Sequence, residues 1–421
     1  MKTMSNLRAY FVKLTLAGVI FGESVAAANA APVTLNFWDM QWGVSEYAVA
    51  AQKLVDRYNQ EHPNVHVVYR SVPWANWFST FTTAVASGSA PDISTGAGFQ
   101  AVYFFSQDAV VPVDDVVKEI GEDAFVPGAL EACRYQGHYV GLPWAVDIRL
   151  FLYRKDILEA KGQKVPTTWD EFRAVCKAVS GNGVYGYVSS GDSSGVHTLF
   201  VTAINNGGGL FTKDGKPALT SDRTMEALHF LADLAKDGSV NPASVGYQNF
   251  DAVASFFQGK AAFLIEGSNL PAQAPADVRE KIGILPPMKS PHGDIGTNEW
   301  INNIMVYKQT THPKETFAFL KWWAENEKPL WTEGNFASFP ARKAILQDAY
   351  FQNNPNYKYA IEVFAPIAKT IAAQKGGTFP ELNEVDGDAA FSTLIQQLWQ
   401  GKPLSQIVPP ALARLEEIMS H

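Results

Sequence analysis

Cysteine is scarce in this 421-residue sequence, which contains only Cys133 and Cys176. Two thiols exclude the dense disulfide framework of small secreted domains, so the fold must depend on a hydrophobic core. Hydrophobic residues make up 47% of the chain, which is enough to build a large core. The two cysteines lie in separate predicted elements, and the sequence leaves open whether they pair with each other.

The sequence also lacks the motifs of common hydrolases and nucleotide-binding proteins. No Gly-x-Ser-x-Gly pentapeptide is present, and the eight histidines form no His-Glu-x-x-His pair. The stretch NNGGGLF at Asn205 lacks the Lys-Ser/Thr ending of a phosphate-binding loop and is typical of a turn. We therefore expect no catalytic residues, no metal site and no cofactor.

Basic residues are in the minority, with 34 Lys and Arg against 42 Asp and Glu and a formal net charge of −8. An acidic chain is repelled by phosphate backbones, so nucleic acid is not the expected partner. Long apolar runs are missing as well. The run Leu14–Phe21 is much shorter than the roughly 20 residues that a transmembrane helix needs.

The first thirty residues do contain a secretory pattern. Three basic residues precede the apolar run Leu14–Phe21, and the small residues Ala28-Asn29-Ala30 follow it. We predict a signal peptide over residues 1–30 that is cleaved near Ala30. Because this segment carries three basic residues and one acidic residue, its removal changes the formal charge from −8 to −10. No Cys lies directly after the cleavage site, so the prediction is a soluble periplasmic protein without a lipid anchor.

Alternating strand and helix patterns predict an α/β fold. VTLNFWDM from Val33 is rich in β-forming residues, SEYAVAAQKLVDRYNQEHP has the apolar spacing of a helix, and VHVVYRSV is a second strand pattern. A strand, a helix and a strand with short connections form a right-handed βαβ unit of a parallel sheet. Helical spacing recurs in TMEALHFLADLAKDG and HPKETFAFLKWWAE. The chain is too long for one core, so we expect two lobes.

Aromatic and polar residues follow the predicted strands, where open α/β sheets bind their ligands. Tryptophan faces beside carboxylates and amides suit a sugar, whose ring presents C–H groups and whose hydroxyls need donors and acceptors. The candidate ligand-binding residues are Trp38, Asp39, Gln41, Trp42, Trp74, Phe99, Trp144, Asp147, Asp192, Glu266, Asn269, Asn298, Trp300, Phe336 and Arg342. The alternatives are packing in the core for each tryptophan and helix capping for Asp39 and Asp147.

Four segments carry a family resemblance. They are YNQEHPNVHVVYRSVPWANWFSTFTTAVASGSAPDI, YQGHYVGLPWAVDIRLFLYRKDILEAKGQKVPTTWDEF, LFTKDGKPALTSDRTMEALHFLADLAKDG and FFQGKAAFLIEGS. Together they resemble the extracellular solute-binding proteins of ABC sugar importers, the group that includes maltose-binding protein. The resemblance covers the chain from about Val33 to its end. It implies two hinge-connected lobes, each a mixed, mostly parallel sheet flanked by helices, with the ligand clamped between them.

The resemblance also implies roles for particular segments. Asp147, three residues after LPW, would lie where the chain passes between the lobes and would accept hydroxyls of the ligand. The loops Trp38–Trp42 and Glu266–Asn269 match ligand-contacting loops of the family. The implied crossing points near Ala145–Asp147, Asn298–Ile301 and Phe339–Arg342 predict a first lobe of residues 31–146 and 301–338 and a second lobe of residues 147–300 and 339–421.

The function that the resemblance implies is substrate capture for an ABC importer. The chain would bind a carbohydrate by hinge closure and deliver it, as a monomer, to permease subunits in the inner membrane. Members of the family often have Trp at two positions where this chain has Gly96 and Asn269. This difference favours a monosaccharide, a short oligosaccharide or a polyol over a long stacked oligosaccharide.

Two alternatives stay open. A secreted glycoside hydrolase would need a pair of carboxyl groups, such as Asp39 and Asp147, roughly 5 to 10 Å apart. A binding protein for a different cargo would take a polyamine, an iron chelate or a glycerol phosphate ester. Acidic residues tolerate a polyamine, whereas a phosphate ester needs more guanidinium groups than Arg70, Arg149 and Arg342 provide.

Overall fold

The structure is a computed structural model that describes residues 32–420, so the predicted signal peptide lies outside the described residues. The strands are β1 (Val33–Met40), β2 (Val65–Val72), β3 (Ile93–Gly96), β4 (Val110–Val111), β5 (Arg134–Tyr135), β6 (His138–Tyr139), β7 (Leu142–Arg154), β8 (Tyr185–Tyr187), β9 (Ala261–Gly267), β10 (Ile282–Ile284), β11 (Thr297–Tyr307), β12 (Phe339–Pro340) and β13 (Ala368–Lys369). The α-helices are α1 (Ser45–Glu61), α2 (Trp77–Ala86), α3 (Gln100–Ser106), α4 (Asp114–Ile120), α5 (Ala129–Ala132), α6 (Lys155–Ala160), α7 (Trp169–Val179), α8 (His197–Asn205), α9 (Asp222–Lys236), α10 (Asn249–Phe257), α11 (Leu270–Gln273), α12 (Ala276–Arg279), α13 (Pro313–Asn326), α14 (Pro329–Thr332), α15 (Lys343–Leu346), α16 (Ala349–Gln352), α17 (Pro355–Tyr359), α18 (Glu381–Gly387), α19 (Ala389–Trp399) and α20 (Leu404–Ile418).

The predicted βαβ unit is confirmed by β1, α1 and β2. The two strands pair in parallel with Phe37 opposite Tyr69. Between them α1 buries one apolar face, which includes Leu54 and Tyr58. The two later helix predictions are α9 and α13, and α13 begins at Pro313, where a missing backbone N–H is tolerated in the first turn.

The large sheet follows the strand order β2-β1-β3-β11-β7-β9-β8. Parallel pairs form its outer parts, β1 with β2 and β3 at one side and β8 with β9 at the other. The two central strands, β7 and β11, run antiparallel to each other. The first half of β7 pairs with β11, and its second half, 149–153, pairs with β9. These central strands therefore cross between the two halves of the molecule.

Two hydrophobic cores lie at the two ends of this sheet. The first core contains buried residues from 35–150 and 301–364. The second core contains Phe99 and buried residues from 158–300 and 371–418, and a smaller cluster from 152–282 lies beside it. The predicted mixed α/β fold with two lobes is confirmed.

The predicted limits of the lobes remain a prediction. They assign residues after 338 to the second lobe, whereas Phe339, Phe351, Tyr357 and Phe364 pack in the first core. The second core resumes at Ile371. This packing puts the third passage between the cores at about 365–370.

The two cysteines are buried and free, Cys133 in the first core and Cys176 in the second. Burial raises the pKa of both thiols, which keeps them protonated and unreactive. Across residues 32–420, every helix is too short or too polar to cross a membrane.

Candidate functional site

Four of the predicted site residues form an aromatic cluster: Trp42, Trp74, Trp144 and Phe336. The ring centroids of Trp42 lie 5.0 Å from Trp74 and 5.1 Å from Trp144, in both cases edge to face. The Trp144 and Phe336 rings stack at 5.0 Å. The cluster brings together side chains that are nearly 300 residues apart in sequence, from the loops after β1 and β2, from β7 and from the segment before β12.

Asp39 lies beneath this aromatic cluster and is completely buried. Its carboxylate accepts hydrogen bonds from Thr95 Oγ1 at 2.7 Å, from Trp42 Nε1 at 3.0 Å and from the Tyr69 hydroxyl at 3.0 Å. Burial raises the pKa of Asp39 to about 7, although these hydrogen bonds lower it. Through these hydrogen bonds Asp39 fixes the orientation of Trp42 in the aromatic cluster.

A second set of side chains, the polar cluster, consists of Asp147, Arg149, Glu266, Asn298, Trp300 and Asp386, to which we add Asn383, one helical turn before Asp386 on α18. Arg149 is its centre. The guanidinium donates from Nη2 to Asp147 Oδ2 at 2.7 Å and from Nη1 to Glu266 Oε2 at 2.6 Å. Charge-assisted hydrogen bonds of this length are strong and fix both carboxylates in orientation.

The two crossing strands place four members of the polar cluster on one face of the sheet. Asp147 of β7 is directly opposite Trp300 of β11. Because side chains alternate along a strand, Arg149 and Asn298 lie on the same face as this pair. Glu266, at the end of β9, is opposite Leu150 of β7, which by the same alternation belongs to the other face, and it joins the cluster by accepting the hydrogen bond from Arg149.

Trp300 connects this face to α18. Its indole Nε1 donates to Asp386 Oδ1 at 3.1 Å, and the Arg149 guanidinium lies 5.9 Å from the ring. The imidazole of His197, at the start of α8, lies 4.5 Å from the same ring. Burial, and secondarily the charge of Arg149, lowers the pKa of His197 well below its usual value, so this imidazole is neutral at pH 7.

Elements of both cores approach each other closely around Trp300 and α18. A Cβ added to Gly98, in the loop before α3, would lie 3.3 Å from the Trp300 Cβ. A Cβ added to Gly387, at the end of α18, would lie 2.8 Å from the Phe78 Cβ of α2. The polar cluster therefore lies at the junction between the two cores.

Several atoms of the polar cluster have unused hydrogen-bonding capacity. Within residues 32–420, hydrogen-bond partners are missing for Arg149 Nε, Glu266 Oε1, Asn298 Oδ1 and the Nδ2 and Oδ1 atoms of Asn383. Glu266, Asn298 and Asn383 are at most 6% exposed. Buried polar groups are nearly always paired, and an unpaired one costs about 1–3 kcal/mol. The arrangement is therefore suited to a ligand that supplies the missing partners.

Burial also shapes the charge of the polar cluster. It raises the pKa of Asp386 to about 7, against the opposing effect of the Trp300 hydrogen bond. It also raises the pKa of Asp147, and the positive charge of Arg149 offsets part of this increase. A single guanidinium thus faces three carboxyl groups, so the cluster is acidic and does not suit an anionic ligand.

The structure places the side chains of four other predicted site residues outside both clusters. Trp38 packs between Phe81 and the guanidinium of Arg70 in the first core. Asp192 accepts a hydrogen bond from the Ser194 backbone and caps a short helical turn. The remaining two are Arg342, whose guanidinium lies over the Phe125 ring, and Gln41, which is exposed and binds the Trp74 indole through its backbone carbonyl.

Two further predicted residues lie at the junction but are engaged by the protein itself. Phe99, from the first half of the chain, packs in the second core. The Asn269 amide donates to the Phe336 carbonyl at 3.3 Å and to the Tyr350 hydroxyl at 3.2 Å. Asn269 therefore links the loop after β9 to the loop that holds Phe336.

Sequence reasoning missed three members of the polar cluster. The position of Arg149, two residues after Asp147 in a strand, is a period-two signal that would have identified it. Asn383 and Asp386 lie in the polar segment FPELNEVDGD, where no local pattern distinguishes them. In the described part of the chain, no three His, Cys, Asp or Glu side chains are grouped as a metal site.

Comparison with known proteins finds one matching family model and several similar proteins and solved structures. The family model described as bacterial extracellular solute-binding protein matches residues 43–328. The chain is 23% identical to a maltotriose-binding protein of Pyrococcus abyssi over 356 residues, which cover 79% of this chain and 74% of that protein.

Solved structures are similar over nearly the whole chain. A sugar transporter from Arthrobacter chlorophenolicus with bound laminaribiose is 31% identical, with a TM-score of 0.86 over 92% of this chain and 99% of that one. Maltose-bound MalE3 of T. maritima is 20% identical, with a TM-score of 0.80 over 92% and 100% of the two chains. At this lower identity the match supports the fold alone.

The family model covers well over half of the chain, and the fold similarity extends over both lobes. The chain belongs to the bacterial extracellular solute-binding proteins.

Proposed function

We propose that this protein is the periplasmic binding component of an ABC importer and that it captures a carbohydrate between its lobes. The unpartnered atoms of the polar cluster carry this proposal. They comprise two donor groups, Arg149 Nε and Asn383 Nδ2, and three acceptors, Glu266 Oε1, Asn298 Oδ1 and Asn383 Oδ1.

A mixture of buried donors and acceptors selects among ligand classes. A hydroxyl group donates one hydrogen bond and accepts others, so a sugar or polyol can satisfy both kinds of atom. A protonated polyamine only donates and would leave the Arg149 and Asn383 donors unpaired. A phosphate ester mainly accepts, and its charge is repelled by the carboxylates of Asp147 and Glu266.

The size of the ligand follows from its surroundings. The polar cluster is enclosed by Trp300 and by the close approach of α18 to α2. The similar protein from Arthrobacter chlorophenolicus has laminaribiose bound, and another family member, from Agrobacterium radiobacter, has ribitol bound. We propose a monosaccharide, a short oligosaccharide or a polyol for this chain, with Trp300 as the aromatic face against its ring.

Hydrolysis is not supported by the geometry. The carboxylate of Asp39 already accepts three hydrogen bonds within the protein, so it is not free to act as a general acid or base. Capture requires only that the ligand prefers the closed arrangement of the lobes, in which Asp386 and Arg149 contact it together. Delivery to membrane permease subunits, as a soluble monomer, is part of the proposal.

A fluorescence titration tests this function. The tryptophan emission of the protein is recorded against laminaribiose, maltose, α-D-tagatose and ribitol, with spermidine and glycerol 3-phosphate as charged comparisons. We expect a saturable change for at least one neutral sugar or polyol, because Trp300 contacts the ligand, and no change for the charged compounds. Saturable binding of spermidine or glycerol phosphate, with none of the neutral ligands, would contradict the proposal.

A further inference from the structure

A groove with a volume of about 650 Å³ lies on the face of the crossing strands opposite Asp147 and Trp300. Its floor consists of Val146 and Ile148 from β7 and of Glu299 and Ile301 from β11. These residues alternate along the strands with Asp147 and its partner, so the two sets of side chains point to opposite faces. The groove and the polar cluster are therefore separate sites that share two strands.

The walls of the groove come from different parts of the chain. One wall is formed by residues 126–132, around α5, together with Phe339 and Pro340. The other wall is formed by residues from 361 to 378, which include Ile361 and Ala373. Most of these side chains are apolar. A groove of this volume with this lining is in the usual range for small-molecule sites, which lie between about 300 and 1,000 Å³.

Three charged side chains line the groove. Glu131 and Lys369 are exposed at its rim, and Glu131 already pairs with Arg134 at 3.7 Å. Glu299 is on the floor. Within residues 32–420 its carboxylate makes no hydrogen bond and no ion pair, and burial raises its pKa to about 7.

An unpaired carboxylate in apolar surroundings is costly, and a cation that carries its own apolar body would remove this cost. A sugar would find few hydrogen-bonding partners on the apolar walls. An anion would be repelled by the Glu299 carboxylate on the floor. The charge of Glu299 and the apolar lining therefore both favour a cation with an apolar body.

We propose that this groove is a second binding site, for a small molecule with an apolar ring system and a primary amine, and that the ammonium group lies beside Glu299. The proposal goes beyond carbohydrate capture and does not depend on it. The apolar rings would contact Ile148, Ile301 and Phe339.

Three probes of the same size and different charge test this site. Calorimetry at pH 8 compares 1-naphthylmethylamine, 1-naphthalenemethanol and 1-naphthoate on the wild-type protein. We expect the amine to bind about ten-fold tighter than the alcohol, because one charge-assisted hydrogen bond is worth about 1.4 kcal/mol or more, and the naphthoate to bind most weakly. Equal binding of amine and alcohol, or binding of no probe, would overturn the proposal.

Variants then locate the amine. Glu299→Gln should reduce the affinity for the amine to that for the alcohol, and Ile301→Trp should weaken both probes by filling the groove. The rim variant Glu131→Gln is the matched control, and it should leave the amine affinity within about two-fold. Asp147→Asn should also leave it unchanged. Amine preference that survives in Glu299→Gln, or is lost in Asp147→Asn, would place the amine elsewhere and refute the site. The wild-type comparison needs no variant and stands if one fails to fold.

Discussion

Arg149 decides the properties of the candidate site at the scale of single residues. It is buried between Asp147 and Glu266 and binds both at short distances. Two buried carboxylates this close to one guanidinium are stable only as a group, because removal of the cation leaves uncompensated charge in a poorly solvated place. The same interaction leaves Arg149 Nε and Glu266 Oε1 available to a ligand.

Arg149→Met should lower the free energy of unfolding by about 3–5 kcal/mol, because it leaves two buried carboxylates without their counter-charge. Urea unfolding at pH 7.5 measures this loss. Lys53→Met is the control, since the Lys53–Glu333 ion pair is exposed, and we expect a loss of at most about 1 kcal/mol. Equal losses in the two variants would show that Arg149 has no special role.

Asp386→Asn should make the stability of the protein less dependent on pH. The pKa of Asp386 is raised from 3.8 to about 7 in the folded protein. Between pH 4 and pH 7 the folded wild type keeps a proton that the unfolded chain loses, so its stability falls as the pH rises through this window. The asparagine variant cannot titrate, and its Oδ1 can still accept the Trp300 hydrogen bond.

The measurement is the unfolding free energy of wild type and Asp386→Asn from pH 4 to pH 8. The unfolding free energy of the variant, relative to that of the wild type, should increase as the pH rises to 7. The increase is at most about 4 kcal/mol for a shift of three pKa units, and above pH 7 the difference should stay constant. A difference that does not change with pH would refute the raised pKa. Asp39 and Glu299 titrate in both proteins, so their contributions to the pH dependence of the unfolding free energy cancel when the two proteins are compared.

Asn383→Ala should weaken carbohydrate binding by about ten- to one-hundred-fold, because two hydrogen bonds of about 1 kcal/mol or more each are lost. Calorimetry with the sugar or polyol identified by fluorescence measures the change. Asn353→Ala removes an exposed amide and should leave the affinity unchanged. If both variants bind as tightly as the wild type, Asn383 does not contact the ligand.

At the scale of elements, the short helix α18 contributes two of its seven residues to the polar cluster. It carries Asn383 and Asp386, which lie one turn apart and so on one side of the helix. Leu382 and Val385 anchor α18 in the second core, while Gly387 lies against Phe78 of the first. The helix therefore carries unpaired atoms of the candidate site and also contacts the opposite lobe.

Gly387→Ala should weaken carbohydrate binding about ten-fold, because a Cβ 2.8 Å from the Phe78 Cβ forces α18 and α2 apart and overpacking costs about 1–3 kcal/mol. Calorimetry compares this variant with Gly246→Ala, whose added Cβ would come no nearer than 4.0 Å to another residue. The control should bind as the wild type does. Unchanged affinity in Gly387→Ala would mean that α2 and α18 do not meet in the bound state.

Some elements could be predicted from the sequence and others could not. The strands β1, β7 and β9 have local patterns. Glu266 lies near the end of β9, as predicted, whereas Asp147, which the pattern places after a strand, lies in the middle of β7. The face of the sheet on which each side chain lies was harder to predict, because neighbouring residues in a strand point to opposite faces. Trp38 packs in the core, whereas its neighbour Asp39 supports the aromatic cluster. The position of α18 depends on distant packing, so no local signal could place it at the site.

At the scale of the whole molecule, β7 and β11 connect the two cores. These two strands present polar side chains on one face and mainly apolar side chains on the other. One face carries Asp147, Arg149, Asn298 and Trp300 of the polar cluster, and the other carries the apolar groove around Glu299. Chain length predicted two lobes, and the family resemblance predicted that the ligand lies between them. The groove could not be predicted, because residues from 126 to 378 form it together.

Small-angle X-ray scattering of the whole protein tests the central claim most directly. A sugar or polyol that pairs with the buried atoms of both β11 and α18 must favour the closed lobes. We predict a smaller radius of gyration with the saturating neutral ligand than with spermidine or glycerol 3-phosphate. No compaction with any sugar or polyol, or compaction with spermidine instead, would contradict the account.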